Sequence, residues 1–220
     1  MHFFLFIAAL FVKVCALLAG IFSWNSLSLP FKLAFTQVVA ALVCELGETY
    51  LISIYGENVW LCNIYMLVEI LLLGIIATML VNNSLIKRIV ALLLVGLSII
   101  WVMTIQRNGL KTLTNTFYLL GGIVLVMSYL AVLFNSSVLA SKKVISDPVF
   151  WFSLSVIIYF GCYLPYKGLE NYLMSISMEL TDSLFNIILL LNYIRYPLVG
   201  LAFYLHGKNA NYEADTSLTH

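Results

Sequence analysis

The chain has 220 residues, of which 63% are hydrophobic and only 10% are charged, and its formal net charge is +1. Soluble domains are about 45–50% apolar and about 25% charged, so a chain this poor in charge would aggregate in water. The mean hydropathy of +1.03 agrees with this conclusion. A nucleic-acid partner needs a basic surface, which this composition excludes. The composition therefore predicts an all-α, polytopic integral membrane protein.

Seven apolar segments have about the 20 residues that a helix needs to cross a bilayer. In chain order they are 3–24, 31–54, 59–81, 86–106, 112–134, 148–166 and 184–205. The first lacks a basic n-region and a small-residue cleavage site, so it is interpreted as a retained helix. Pro165 falls at the predicted end of the sixth helix, and Pro197 lies inside the seventh, where it should cause a kink. We therefore predict a seven-helix transmembrane domain over 1–206 and a polar, disordered cytoplasmic tail over 207–220.

Lysine and arginine in the predicted loops set the orientation, because cytoplasmic loops are enriched in both residues. Six of them share the side of the first, third and fifth loops and the tail: Lys32, Lys87, Arg88, Lys142, Lys143 and Lys208. The opposite side holds three basic and four acidic residues: Arg107, Lys111, Lys167, Glu57, Glu170, Glu179 and Asp182. We therefore expect the N-terminus outside and the C-terminus in the cytoplasm.

Four charged residues fall near the middle of their apolar segments: Lys13, Glu45, Glu69 and Arg195. An unpaired charge at the centre of a membrane helix costs roughly 2.5–3.5 kcal/mol, so these residues must pair or face water. With two cations and two anions, the set can be neutral. We expect the first, second, third and seventh helices to bring them together in one cluster, with Glu45 paired to Lys13 or Arg195.

Other polar residues lie on the same helical faces as these charges. Glu48 follows Glu45 at a spacing of three, Asn63 and Tyr65 precede Glu69 on the third helix, and Asn192 precedes Arg195 by three. Residues three or four apart lie on one face of a helix. The predicted ligand-binding or charge cluster therefore consists of Lys13, Glu45, Glu48, Asn63, Tyr65, Glu69, Asn192 and Arg195. Glu48 has no obvious partner, so it is the best candidate to meet water or a ligand.

The sequence leaves three interpretations of the cluster open. Buried ion pairs can simply fix helix packing without binding anything. The cluster can instead form a pocket that binds or transports a solute, or its glutamates can act as general acid or base. We assign no catalytic residue, no metal site and no cofactor, and the cysteines Cys15, Cys44, Cys62 and Cys162 look like small buried hydrophobes.

Two stretches resemble small bacterial seven-helix proteins that are similar to the membrane regions preceding sensor kinase modules. They are "NVWLCNIYMLVEILLL" (58–73), with Trp60 and Tyr65, and "DPVFWFSLSVIIYF" (147–160), with Trp151 and Tyr159. The closing "LFNIILLLNYIRYPLVGLAF" (184–203) resembles their last helix. The resemblance covers residues 40–205 and implies a membrane sensor or receptor-like function.

Two other seven-helix families match less of the chain. A retinal protein needs a lysine in its last helix, where this chain has Arg195. "GETYL" (47–51) resembles a stretch of the membrane lysoplasmalogenases, but the histidines expected within that family's helices are missing.

We therefore expect a ligand-binding sensor of the bacterial inner membrane that signals to a separate cytoplasmic protein. A small-solute or proton-coupled transporter and a lipid-modifying enzyme are the alternatives. The expected partners are the lipid bilayer and that signalling protein, with no nucleic acid, and homo-oligomerisation is left open.

Overall fold

The computed structural model describes residues 2–135 and 144–217. Within them the chain forms seven α-helices, preceded at the sixth by a short 3-10 helix at Val144–Ser146. The helices are α1 (His2–Phe22), α2 (Leu29–Tyr55), α3 (Val59–Leu80), α4 (Ser84–Asn108), α5 (Asn115–Asn135), α6 (Pro148–Ile176) and α7 (Met178–Ser217). Each of the seven predicted segments corresponds, in order, to one of these helices.

Five helices, α2 to α6, contain stretches that are long and apolar enough to cross a bilayer. The described apolar part of α1, Ile7–Phe22, is shorter. Large hydrophobic side chains are exposed on the outside of these helices, including Phe11, Val43 and Leu92. In water such a surface would aggregate, whereas in a bilayer it faces lipid tails. The apolar helices thus indicate a multi-pass membrane protein.

Six helices pack in a closed ring. Each helix contacts the next in the order α1, α2, α3, α5, α6, α7, and α7 contacts α1. The remaining helix, α4, packs against the outside of α3 and α5, and its membrane stretch is only 17% buried. In this order α3 and α7 stand on opposite sides of the ring.

Small residues bring α1 and α7 into close contact. A Cβ atom added at Gly200 of α7 would lie only 3.2 Å from the Cα of Ala16 on α1. Ala16 is 1% exposed, and Ala202 and Phe203 beside Gly200 are fully buried. Small residues at such positions let backbones approach, which is a main source of helix association in lipid.

The ends of the last two helices differ from the sequence-based prediction. α6 continues through Pro165 to Ile176, so most of the segment interpreted as the sixth loop is helical. Leu169, Tyr172, Leu173 and Ile176 are spaced as one apolar face of a helix, and this periodicity outweighs the single hydrogen bond that a proline removes. Accordingly, Glu170, Glu179 and Asp182 belong to helices rather than to a loop.

The last helix runs past His206, where we predicted its end, to Ser217. Two hydrogen bonds fix this region: the ring of His206 lies 3.0 Å from the hydroxyl of Ser28, and Asn209 donates to the carbonyl of Ser146. The segment predicted as a tail over 207–220 therefore begins inside a helix. As predicted, Pro197 lies within this helix. Lys142 and Lys143, used for the orientation, lie outside the described residues.

The close approach of α1 and α7 can be tested with two glycine substitutions. Gly200→Leu should lower the free energy of unfolding by about 1–3 kcal/mol or more, because the new side chain must push α1 away. Gly96→Leu is the control, since a Cβ at Gly96 on α4 meets nothing within 4 Å. Chemical unfolding of both variants in detergent measures the difference, and equal stability would contradict the described packing.

Candidate functional site

A cavity of about 230 Å³ lies at the centre of the helix ring. Every ring helix contributes to its wall, and α4 does not. Representative residues, in the order of the ring, are Lys13, Glu45, Glu69, Tyr118, Tyr159 and Arg195. A molecule bound in this cavity would therefore be within reach of all six ring helices.

An ion pair between α3 and α7 spans this ring. Arg195 Nη1 donates to Glu69 Oε1 at 2.8 Å, and both side chains are only 2% exposed. The Glu69 carboxylate also accepts hydrogen bonds from Gln37 (3.2 Å), Tyr65 (3.2 Å) and Tyr118 (2.8 Å). A buried carboxylate is tolerated only when it is both paired and hydrogen-bonded, and Glu69 meets both conditions.

Aromatic rings surround the guanidinium of Arg195. Its central carbon lies 4.4 Å from the ring centre of Tyr159, 5.6 Å from that of Tyr196 and 5.7 Å from that of Phe160. A cation over an aromatic face gains attraction that increases away from water. One nitrogen, Nη2, is buried without a hydrogen-bond partner among the described residues. A buried unsatisfied donor is costly, so this atom marks a place where a ligand or water would gain a hydrogen bond.

The second ion pair joins α1 to α2. Lys13 Nζ contacts Glu45 Oε2; the lysine side chain is 6% exposed and the glutamate side chain 21% exposed. Lys13 also lies over the ring of Tyr196, 5.1 Å from its centre. The ring of Tyr196 therefore lies close to both cations, Lys13 and Arg195.

Glu48 lies one turn further along α2 and also lines the cavity. Among the described residues it has no ion-pair partner, and it accepts hydrogen bonds from the thiols of Cys44 and Cys62; the Cys44 sulfur lies 3.4 Å from Oε1. Tyr65 and Asn192 line the same cavity. Seven of the eight residues in the predicted cluster are thus brought together: Lys13, Glu45, Glu48, Tyr65, Glu69, Asn192 and Arg195.

The remaining predicted residue, Asn63, does not line the cavity. Its amide donates to the carbonyls of Leu110 (2.8 Å) and Thr112 (2.9 Å) and accepts from the N–H and hydroxyl of Thr114 (3.0 Å each). Asn63 is fully buried and holds the connection between α4 and α5. Its placement in the ligand cluster is corrected, because Asn63 points to the α4 and α5 side of α3 while Glu69 points into the ring.

The sequence analysis assigned no residue of α5 or α6 to the site, although both helices line the cavity. Tyr118 of α5 and Tyr159 and Tyr163 of α6 line the cavity, as do Cys44 and Cys62. The available signal was the spacing of tyrosines at 159, 163 and 166 along one face of an apolar helix. Cys15 and Cys162, by contrast, are exposed rather than buried.

The role of Asn63 gives one test. Asn63→Ala removes four hydrogen bonds and should lower the free energy of unfolding by about 2–4 kcal/mol. Asn82→Ala, at an exposed site before α4, should change it by less than about 0.5 kcal/mol. Unfolding in detergent provides the measurement, and a small effect at Asn63 would mean that the connection holds without it.

The ion pair across the ring gives a second test. Glu69→Gln leaves Arg195 as an unpaired buried cation and should cost about 3–5 kcal/mol. The same substitution at Glu57, in an exposed pair with Lys111, should cost below about 1 kcal/mol. The double variant E69Q/R195Q should cost less than the two single variants together, because the charge is removed with its partner. Equal losses for E69Q and E57Q would contradict the central role of this pair.

Comparisons of the chain with protein-family models, with curated proteins and with solved structures found no significant match. The resemblance to bacterial sensor regions therefore stays a prediction, and the cavity carries the functional conclusion.

Proposed function

We propose that the protein is a receptor-like membrane protein that binds a small polar ligand in its central cavity and signals to a separate cytoplasmic partner. In this proposal all seven helices cross a bacterial inner membrane, with the N-terminus outside and the C-terminus in the cytoplasm. The observation that carries it is the cavity at the centre of the ring, which is lined by charged side chains, among them Arg195, whose Nη2 has no hydrogen-bond partner among the described residues.

The position of the cavity supports a signalling role. A ligand there would contact all six ring helices, so binding energy could shift their packing. The unpaired Glu48 lies toward the end of the bundle that carries the α2–α3 connection, which the proposed orientation places outside. Lys87 and Arg88 lie near the start of α4, on the opposite end, where a cytoplasmic partner would read the change.

The size of the cavity limits the ligand. A cavity of about 150 Å³ holds one benzene molecule, so 230 Å³ has room for about nine non-hydrogen atoms. A lipid acyl chain is too large for this space. The proposed ligand is therefore a small solute that fits this volume.

A carrier is the second candidate, and the helix order favours it. α1, α2 and α3 contact one another in the same order as α5, α6 and α7, while α4 lies outside and joins the two triplets. Many carriers consist of two repeated halves with the solute site between them. Uptake into proteoliposomes, with and without a pH gradient, of any compound that binds would separate a carrier from a sensor.

Filling the cavity tests the proposed function. The purified protein is screened by thermal unfolding against small amines, carboxylic acids, amino acids and alcohols, and at least one should raise the unfolding temperature. Ala41→Trp, at a buried wall residue of α2, should abolish that rise. Val43→Trp is the control, because Val43 is 63% exposed on the same helix and faces away from the cavity.

Two outcomes would refute the proposal. One is a wild-type protein that no compound in the panel stabilises. The other is an A41W protein that responds to the same compounds as V43W, since the cavity would then not be the site of binding.

A further inference from the structure

The charges in the cavity wall do not balance. The wall holds three carboxylates, Glu45, Glu48 and Glu69, and two cations, Lys13 and Arg195. The two ion pairs use one carboxylate each, which leaves Glu48 and a formal charge of −1. Away from water an uncompensated charge is expensive, so the cavity favours a ligand that brings one positive charge.

Aromatic rings in the cavity wall also suit an organic cation. Tyr65, Tyr118, Tyr159 and Tyr163 all contribute to the cavity wall. Aromatic faces attract ammonium groups, and cages of such rings with a carboxylate are the usual way in which proteins bind quaternary ammonium ligands. A bare proton or metal ion would not use the rings or fill a space of about 230 Å³.

A second and independent feature points to the other end of the ligand. Arg195 is 2% exposed, lines the cavity, and keeps Nη2 without a hydrogen-bond partner among the described residues. This nitrogen can only donate. It is therefore suited to a hydroxyl or carbonyl oxygen of the ligand.

The unsatisfied donor, Arg195 Nη2, and the carboxylate of Glu48 lie at different levels along the helix axes. Glu48 is hydrogen-bonded to Cys62 of α3. Glu69, the ion-pair partner of Arg195, lies seven residues further along the same helix. Seven helical residues rise by about 10 Å. A ligand that reaches both groups has its cation near Glu48 and its acceptor deeper, near Arg195.

We propose that the cavity binds a small organic monocation that carries a hydrogen-bond acceptor, of the amino-alcohol class. This inference rests on the proposed function, because it names the class of ligand for the same cavity. It assigns Glu48 to the positive charge and Arg195 Nη2 to the acceptor.

Four matched probes test the class. Choline carries both features, and 3,3-dimethylbutan-1-ol is its neutral isostere. Tetramethylammonium keeps the cation but lacks the acceptor, and 3,3-dimethylbutyrate has an opposite charge on a similar frame. In thermal unfolding of the full chain in detergent, choline should raise the unfolding temperature most, tetramethylammonium less, and the neutral and anionic probes not at all.

A matched pair of variants tests the residue. Glu48→Gln should weaken choline binding by about 10- to 100-fold, because the carboxylate facing the cation is lost. Glu57→Gln, the same change at an exposed ion pair, should leave choline binding unchanged. The comparison of choline with its neutral isostere uses the wild-type protein, so it decides the question even where a variant fails to fold.

The outcomes separate this inference from the proposed function. Equal stabilisation by choline and its neutral isostere, or full choline affinity in E48Q, would overturn the assignment of Glu48. Equal affinity for choline and tetramethylammonium would overturn the role of the Arg195 donor. If an anion or a neutral compound binds and choline does not, the ligand class is wrong while the binding function stands. If nothing binds, both fail.

Discussion

The ion pair between Glu69 and Arg195 is the interaction on which the structure depends. Its two helices, α3 and α7, stand on opposite sides of the six-helix ring, so the pair holds the ring together through its centre rather than along its edge. Gln37 and Tyr118 add hydrogen bonds to the same carboxylate from α2 and α5. Four helices thus meet at one buried carboxylate, and their relative positions are fixed by where its donors must stand.

The cavity wall contains polar groups that the two ion pairs do not use. Glu69 is satisfied by its four donors, and Lys13 and Glu45 satisfy each other. Packing alone does not require two features of the cavity wall: Glu48 has no ion-pair partner among the described residues, and Arg195 keeps a nitrogen without a hydrogen-bond partner there. Arg195 Nη2 is a buried donor without a partner among the described residues, and Glu48 is a half-buried carboxylate whose hydrogen bonds come from thiols rather than from a cation. These two groups, rather than the ion pairs, are the features that favour the proposed binding site over a purely structural role.

Much of the fold was predictable, because long apolar runs and the cost of buried charge are both visible in a sequence. The central depth of Lys13, Glu45, Glu69 and Arg195 followed from their positions in the apolar segments. The choice of partners did not, since pairing Glu45 with Lys13 depends on which helices are neighbours in the ring. Asn63 was misplaced for the same reason. A helical face is readable from spacing, but the helix that it meets is a tertiary property.

The tyrosines of α5 and α6 were missed because no charge drew attention to those helices. Pro165 was overvalued as a helix end, since an apolar face continuing to Ile176 keeps the helix intact. In both cases the prediction rested on individual residues and took no account of tertiary packing. Packing determines the structure where the intrinsic propensity of a segment is weak.

The α7 helix extends well beyond the cavity that it lines. The helix has 40 residues and is therefore about 60 Å long, roughly twice the hydrocarbon thickness of a bilayer. Pro197, where the backbone hydrogen-bond ladder is interrupted, lies two residues after Arg195. From there the helix extends about 30 Å to Ser217, so a rotation of about 5° at the proline moves the far end by about 2.6 Å. If the protein is the receptor proposed above, α7 would act as a lever with its pivot beside the cavity, and a small displacement of Arg195 would become a movement large enough for a partner protein to detect.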